Sequence, residues 1–129
     1  MTPTQMTLKA LKGKGLTCGI VERWLPIPGI PGGGKRQDLF NILDIIAIAP
    51  GRTIGVQSCG QSFAAHLKTL TEDRAEESRA WIEAGNELEL WGWRKLKAKK
   101  QDGSYGKAMR WAPRVRVITL KEVDTKSNA

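Results

Sequence analysis

An aspartate inside an apolar segment is the first chemical signal in the sequence. Asp44 lies in the run 39–49, which is rich in β-branched residues and therefore predicts a buried strand. A buried carboxylate is unfavourable unless it is paired, hydrogen-bonded or bound to a metal ion. The sequence therefore predicts that Asp44 has either a structural partner or a ligand.

The next strand supplies candidate partners for Asp44. A Pro-Gly turn at 50–51 is followed by a second strand-like segment, 53–59. If the hairpin is symmetric about this turn, Asp44 lies opposite Gln57, with Cβ atoms about 4.5–5.5 Å apart. Alternation of side chains then places Cys59 on the same face as Gln57.

Two interpretations of this hairpin follow from the residue types. Mg²⁺ prefers oxygen ligands, often one or two carboxylates with water and phosphate, and Asp44 with the carbonyl oxygen of Gln57 fits that preference. In the alternative, the amide of Gln57 donates a hydrogen bond to Asp44 and the pair is purely structural. The residues by themselves leave both interpretations open.

The strand starting at Asp44, the Pro-Gly turn and Ile54-Gly-Val-Gln-Ser-Cys59 together resemble the core hairpin of the PD-(D/E)XK nuclease superfamily. Within this superfamily, the hairpin is most similar to those of archaeal Holliday-junction resolvases and small phage endonuclease-like proteins. The resemblance covers residues 8–93. It implies a metal-dependent DNA endonuclease with Mg²⁺ (or Mn²⁺), acting on branched DNA if it is structure-selective. A homodimer also fits the resemblance, because two strands need cutting.

The resemblance assigns roles residue by residue. Asp44 matches the aspartate of the motif, and Leu43 stands where the motif has proline. Gln57 stands at the second acidic position, which makes Asp44 and Gln57 the implied metal ligands. Cys59 stands where the motif has a lysine, and a thiol cannot supply that positive charge.

The missing lysine divides the functional hypotheses. If a basic residue from elsewhere reaches the site, the natural candidate is Lys68 on the following helix. Otherwise the chain is a catalytically degenerate nucleic-acid-binding module on the same fold. Glu22 resembles the extra acidic ligand that such nucleases bring from their N-terminal region. Asp38 is a further candidate ligand that the motif does not place.

The charge distribution favours a polyanionic partner. The chain has 129 residues and a net charge of +8. Residues 93–129 hold eleven Lys and Arg against three Asp and Glu, while 51–92 are net acidic. Such a basic segment is typical of nucleic-acid binding. The candidate contacts are Lys35, Arg36, Arg94, Lys95 and Lys97.

Other partners are weaker predictions from the same charges. A membrane surface is disfavoured because the basic segment lacks an amphipathic helical stripe, and no apolar run is long enough to span a bilayer. A basic protein-interaction domain is the third hypothesis, and a weak salt dependence of binding would indicate it. The segment 29–36 resembles a phosphate-binding P-loop, but Arg36 replaces the required hydroxyl and a strand follows.

Two aromatic or titratable features have alternative interpretations. Trp91 and Trp93 point to one face of a strand and are either a base-stacking platform or core residues. His66 is predicted to be a packing or surface residue, which could reach DNA if its helix packs beside the Asp44 hairpin.

The predicted elements give a single α/β domain over 1–129, with a central mixed sheet flanked by helices in the order α-β-β-β-α-β-β. A mobile Gly/Pro loop is predicted at 26–37 and a basic loop at 97–109. Two cysteines without an export signal predict a reduced, cytoplasmic location, which is the host cytoplasm if the protein is phage-encoded.

Overall fold

The chain folds into a five-stranded mixed sheet with helices on both faces, which confirms the α/β class. The computed structural model describes residues 1–123, so residues 124–129 of the predicted domain lie outside the described part. The helices are α1 (Pro3–Gly13), α2 (Phe63–Lys68), α3 (Ala75–Glu83) and α4 (Leu120–Val123), with a π-helical turn at Thr69–Asp73. The strands are β1 (Thr17–Ile20), β2 (Arg23–Pro26), β3 (Gly34–Gln37), β4 (Ile45–Ala49), β5 (Arg52–Cys59), β6 (Glu87–Lys99) and β7 (Tyr105–Val117).

The order of strands in the main sheet is β1-β4-β5-β6-β7. Neighbouring strands are antiparallel except for β5 and β6, which are parallel and are joined by a crossover through α2 and α3. Strands β2 and β3 form a separate two-stranded sheet. One face of the main sheet packs on α1, and the other packs on the crossover helices and α4.

Helix α1 begins as its sequence predicts. Thr2 accepts a hydrogen bond from the backbone of Gln5, whose side chain accepts one from the backbone of Thr2. This capping box satisfies two otherwise unpaired N–H groups, and Pro3 fills the first helical position. The apolar side of α1 places Met6 and Leu11 on the sheet.

The central hairpin has the predicted register. Ile45 pairs with Val56, and Ala49 pairs with Arg52 across the turn, where Gly51 has a φ of 71°. The preceding strand is shorter than predicted, because residues 39–43 form a compact turn in which Phe40 and Asn41 have positive φ. Asp44 therefore lies directly before β4, and its N–H donates to the carbonyl of Val56 at 2.9 Å.

Both predicted loops contain strand residues, and the predicted element order is corrected accordingly. The segment 26–37 contains β3, which pairs with β2 from Arg23↔Gln37 to Pro26↔Gly34, so that only 27–33 form the turn. The sequence of 16–24 predicts a single strand, but the structure divides this segment between β1 and β2.

The basic segment 97–109 is also mostly extended. Strand β6 continues to Lys99, β7 begins at Tyr105, and the chain turns within 100–104. Gly103 has the positive φ of 86° that this turn uses. Among the described residues, no helix is long and apolar enough to cross a membrane.

Candidate metal centre and its basic surroundings

Three carboxylates converge beside the central hairpin. Glu22, Asp38 and Asp44 each offer a carboxylate oxygen, and these oxygens lie within 4.8 Å of one another. Each residue lies just outside a strand: Glu22 between β1 and β2, Asp38 after β3, and Asp44 before β4. The cluster is therefore held by three separate segments of the chain.

Backbone hydrogen bonds bring these segments together. The N–H of Val21 donates to the carbonyl of Asp44 at 2.9 Å, which extends the pairing of β1 with β4 and brings Glu22 beside Asp44. The N–H of Leu39 donates to the carbonyl of Leu43 at 2.9 Å, which folds Asp38 back toward the same point. Asp38, which the motif did not place, is thus a member of the cluster.

Asp44 is the most buried member, with 5 % of its surface exposed. Its Oδ2 accepts the backbone N–H of Ser58 at 2.8 Å. Burial, followed by a hydrogen bond with Asp38 and the charges of Asp38 and Glu22, raises the pKa of Asp44 to about 8, against the lowering effect of the Ser58 N–H. Asp44 therefore holds a proton at neutral pH, and a bound cation would replace that proton.

Gln57 lies opposite the start of β4 but does not make the predicted structural pair with Asp44. Its Nε2 donates to the carbonyl of Ile42 at 3.1 Å and to Oδ2 of Asp38 at 3.4 Å. Its Oε1 lies 3.0 Å from Nδ1 of His66. Gln57 thus presents nitrogen to the carboxylates, and ligation by its oxygen requires the amide to turn over, with His66 as the acceptor for the amide nitrogen.

Cys59 is part of the core and carries no positive charge. It is 4 % exposed and belongs to the same apolar cluster as Leu70 and Leu88. Burial, and then the negative charge of Asp44, raises the pKa of the Cys59 thiol. The thiol is therefore neutral at physiological pH and fills space where the motif has lysine.

Arg36 is the cation that contacts the cluster. Its Nη1 lies 3.4 Å from Oε1 of Glu22, and 66 % of its side chain is exposed while Glu22 is 14 % exposed. Lys68 is exposed on α2, and no described contact joins it to the three carboxylates. The pairing of Trp24 with Arg36 across the β2–β3 hairpin places Arg36 near Glu22.

A cleft with a basic rim opens beside the carboxylates. Its volume is about 300 Å³. Asp38 lines this cleft together with Lys35, Arg36 and Arg74. A phosphate group in the cleft would therefore lie beside Asp38, one member of the carboxylate cluster, and beside the guanidinium of Arg36.

The other predicted contacts lie on β6. Arg94, Lys95 and Lys97 are exposed. Lys95 places its Nζ 5.2 Å from the centroid of the Trp111 ring. These residues lie on the part of β6 that runs beyond β5, and they do not line the cleft that Arg36 lines.

Trp91 and Trp93 are core residues, as one of the two interpretations predicted. They are 2 % and 7 % exposed, and the Nε1–H of Trp93 donates to Oγ1 of Thr7 at 2.8 Å. The contact of His66 with Gln57 was not predicted from the sequence. The two residues are nine positions apart, across the end of β5 and the start of α2, so no strand or helix periodicity could have identified this contact.

The chain was compared with known proteins, and no protein-family model, curated protein or solved structure matches it.

Proposed function

We propose that the chain is a divalent-metal-dependent endonuclease that hydrolyses phosphodiester bonds in DNA. The observation that carries this proposal is the convergence of Glu22, Asp38 and Asp44, whose oxygens lie within 4.8 Å of one another beside a basic cleft. Carboxylate oxygens are the ligands that Mg²⁺ and Mn²⁺ prefer. The donor set therefore fits the ion that the resemblance implies.

A metal ion held by these residues would polarise the phosphate and supply a hydroxide nucleophile. The protein contributes the rest of the site. Asp44 would release its proton on becoming a ligand, and the carboxylates of Glu22 and Asp38 would supply the remaining negative charge around the ion. Gln57 adds an oxygen ligand when its amide is turned over.

Arg36 takes the role that the motif gives to lysine. Its guanidinium is exposed on the cleft side and held near the cluster by Glu22. A planar guanidinium binds two phosphate oxygens at once and stabilises charge that develops on them. This assignment replaces Lys68 as our candidate for the missing cation.

The catalytically degenerate module stays the second candidate function, because Cys59 is a buried, neutral thiol at the lysine position. A branched substrate and a homodimer are proposals that rest on the resemblance to PD-(D/E)XK nucleases, and a cytoplasmic location is a proposal that rests on the cysteine content.

A cleavage assay separates these functions. Purified protein is incubated with a labelled four-way junction, a linear duplex and single-stranded DNA, each with Mg²⁺, Mn²⁺ or EDTA. The test variants are Asp44→Asn and Asp38→Asn, and the matched control is Asp73→Asn, which changes an exposed aspartate outside the cluster.

We expect cutting that needs the metal, persists in Asp73→Asn and disappears in both cluster variants. DNA binding without cutting on any metal would reject the nuclease and favour the degenerate module. The absence of both binding and cutting would overturn both functions and favour the protein-interaction hypothesis.

A further inference from the structure

Strands β6 and β7 extend beyond the rest of the sheet as a two-stranded ribbon. Strand β5 pairs with β6 only as far as Cys59↔Gly92, whereas β6 and β7 stay paired to Lys99↔Tyr105. We call residues 93–99 and 105–113 the ribbon. At about 3.3 Å per residue, it reaches about 20 Å past the sheet.

The ribbon leaves the sheet at the edge where the carboxylate cluster lies. Because β5 and β6 are parallel, the end of β5 and the start of the ribbon share this edge. Gln57 pairs with Leu90, and Asp44 lies opposite Gln57 before β4. A ligand lying along the ribbon would therefore run toward the cluster.

The two faces of the ribbon are different, and one of them continues the face that carries the site. The side chain of Gln57 contacts His66 on α2, and the ring of Phe63 on α2 packs directly over Gly92. Side chains alternate along a strand, so the residues on this side can be identified from the register. They form the arginine face, which consists of Arg94, Leu96, Arg110, Ala112 and Arg114.

The opposite side points away from the cluster. Trp93 on this side is buried against Thr7 of α1. Beyond it lies the lysine face, which consists of Lys95, Lys97, Met109 and Trp111. Lys95, Lys97 and Trp111 are therefore on the side away from Gln57.

A small pocket lies at the root of the arginine face, beside the end of β5. It has a volume of about 180 Å³ and is lined in part by Gln61, Phe63, Arg94 and Arg114. The guanidinium carbon of Arg114 lies 4.1 Å from the centroid of the Phe63 ring. This stacking holds one arginine between the end of β5 and the outer ribbon.

We propose that the arginine face is a docking surface for double-stranded nucleic acid, which it guides toward the carboxylate cluster. Guanidinium groups bind phosphates in a bidentate geometry, and a two-stranded ribbon fits the major groove of a duplex, which is about 12 Å wide. The inference rests on the proposed function only for the position of the bond that is cut.

The composition of the face favours a duplex over a single strand. Proteins that bind single strands stack bases on aromatic side chains. The arginine face presents Leu96 and Ala112 between its arginines, and Phe63 at its root is covered by Arg114. The arginine face can therefore bind phosphates, but it presents no aromatic surface on which bases could stack.

Two double variants test the proposal. Binding of a labelled DNA duplex of about 20 base pairs, two helical turns, is measured by fluorescence anisotropy in EDTA, so that no cleavage is needed. Arg94→Gln with Arg110→Gln removes two charges from the arginine face, and Lys95→Gln with Lys97→Gln removes two charges from the lysine face at the same height.

The arginine-face variant should bind the duplex at least about 10-fold more weakly, and the slope of its log affinity against log salt concentration should be smaller by about two. The lysine-face variant should lose less than about 3-fold in affinity. Equal losses, or a larger loss from the lysine face, would overturn the proposal. Tighter binding of a single strand of the same length by the unaltered protein would overturn it as well.

Photo-crosslinking provides a test that removes no charge. A benzophenone amino acid at Leu96 lies on the arginine face, and one at Met109 lies on the lysine face; both positions are exposed. We expect the duplex to crosslink to position 96, and crosslinking mainly to position 109 would contradict the proposal. Because neither experiment needs cleavage, a failed cleavage assay would reject the nuclease without affecting this result.

Discussion

Replacing Asp44 with asparagine should stabilise the protein at alkaline pH. The folded state raises the pKa of Asp44 from 3.8 to about 8, chiefly by burial and then by the hydrogen bond with Asp38. Folding therefore retains a proton that the unfolded chain releases. The contribution of this group to stability is fully present below about pH 4 and is lost as the pH rises to about 8.

The size of the effect follows from the shift. A rise of about four pKa units, at about 1.4 kcal/mol each, gives an upper bound of about 6 kcal/mol lost between pH 4 and pH 8. Total stabilities of domains are about 5–15 kcal/mol, so the loss is large enough to dominate the pH dependence.

Asparagine reproduces the protonated form of the side chain. Its amide oxygen can accept the N–H of Ser58, and its amide nitrogen can donate to Asp38, as the protonated carboxyl does. The Asp44→Asn variant should therefore match the unaltered protein near pH 4 and keep its stability up to pH 9. At pH 9 we expect it to be more stable by about 3–5 kcal/mol.

Urea unfolding in EDTA, followed by tryptophan fluorescence at several pH values between 4 and 9, measures this difference. The Asp73→Asn variant is the control and should keep the pH dependence of the unaltered protein. If Asp44→Asn loses stability with rising pH as steeply as the unaltered protein, Asp44 is not the titrating group and the reasoning fails.

Three further predictions concern the cation, the amide and the core. Arg36→Gln should lower the rate of DNA cleavage by about 10–100-fold, whereas Lys68→Gln should change it by less than about 3-fold, in single-turnover kinetics; the reverse order would restore Lys68 as the catalytic cation. Gln57→Glu adds a carboxylate and should tighten Mn²⁺ binding by at least about 10-fold in isothermal titration calorimetry; unchanged affinity would place the metal elsewhere. Thr7→Val leaves the buried Trp93 N–H and the Ser58 hydroxyl without their acceptor and should cost about 2–4 kcal/mol in urea unfolding; a loss under about 0.5 kcal/mol would show that these donors find other partners.

The register of the central hairpin was predictable because its signals are local. A Pro-Gly turn fixes the reversal, and the apolar residues on both sides fix which faces are buried. These two features place Asp44 opposite Gln57 without any knowledge of the rest of the chain.

The approach of Asp38 to Asp44 was not predictable from residue types. It depends on the turn 39–43, in which Phe40 and Asn41 adopt positive φ. A bulky residue rarely takes this conformation, so only the surrounding contacts can select it. The sequence consequently suggested a continuous strand through this turn.

The β2–β3 hairpin and the outer part of the β6–β7 hairpin were not fully predicted, for a different reason. Strands β2, β3 and the outer parts of β6 and β7 are mostly exposed, so they lack the alternation of apolar and polar residues by which half-buried strands are detected. Basic residues are frequent in them, and proline and glycine are frequent in the turn between β2 and β3, so the composition of these segments resembles that of loops. Pairing with the neighbouring strand, and not burial, holds these segments extended.

Metal binding and DNA binding should strengthen each other at this site. The three carboxylates repel a phosphate, and the proton on Asp44 and the charge of Arg36 offset this repulsion only in part. A divalent cation removes the remaining repulsion, and because coupling between two ligands is reciprocal, DNA must raise the affinity for the cation by the same factor.

Ca²⁺ allows binding to be measured without rapid cleavage. At pH 8 we expect Ca²⁺ to tighten duplex binding by about 10-fold, a coupling of about 1.4 kcal/mol. The enhancement should weaken at pH 6, where protons compete for Asp44, and should be absent in Asp44→Asn. An equal enhancement in that variant would show that the cation acts on the DNA or at another site, and not through this cluster.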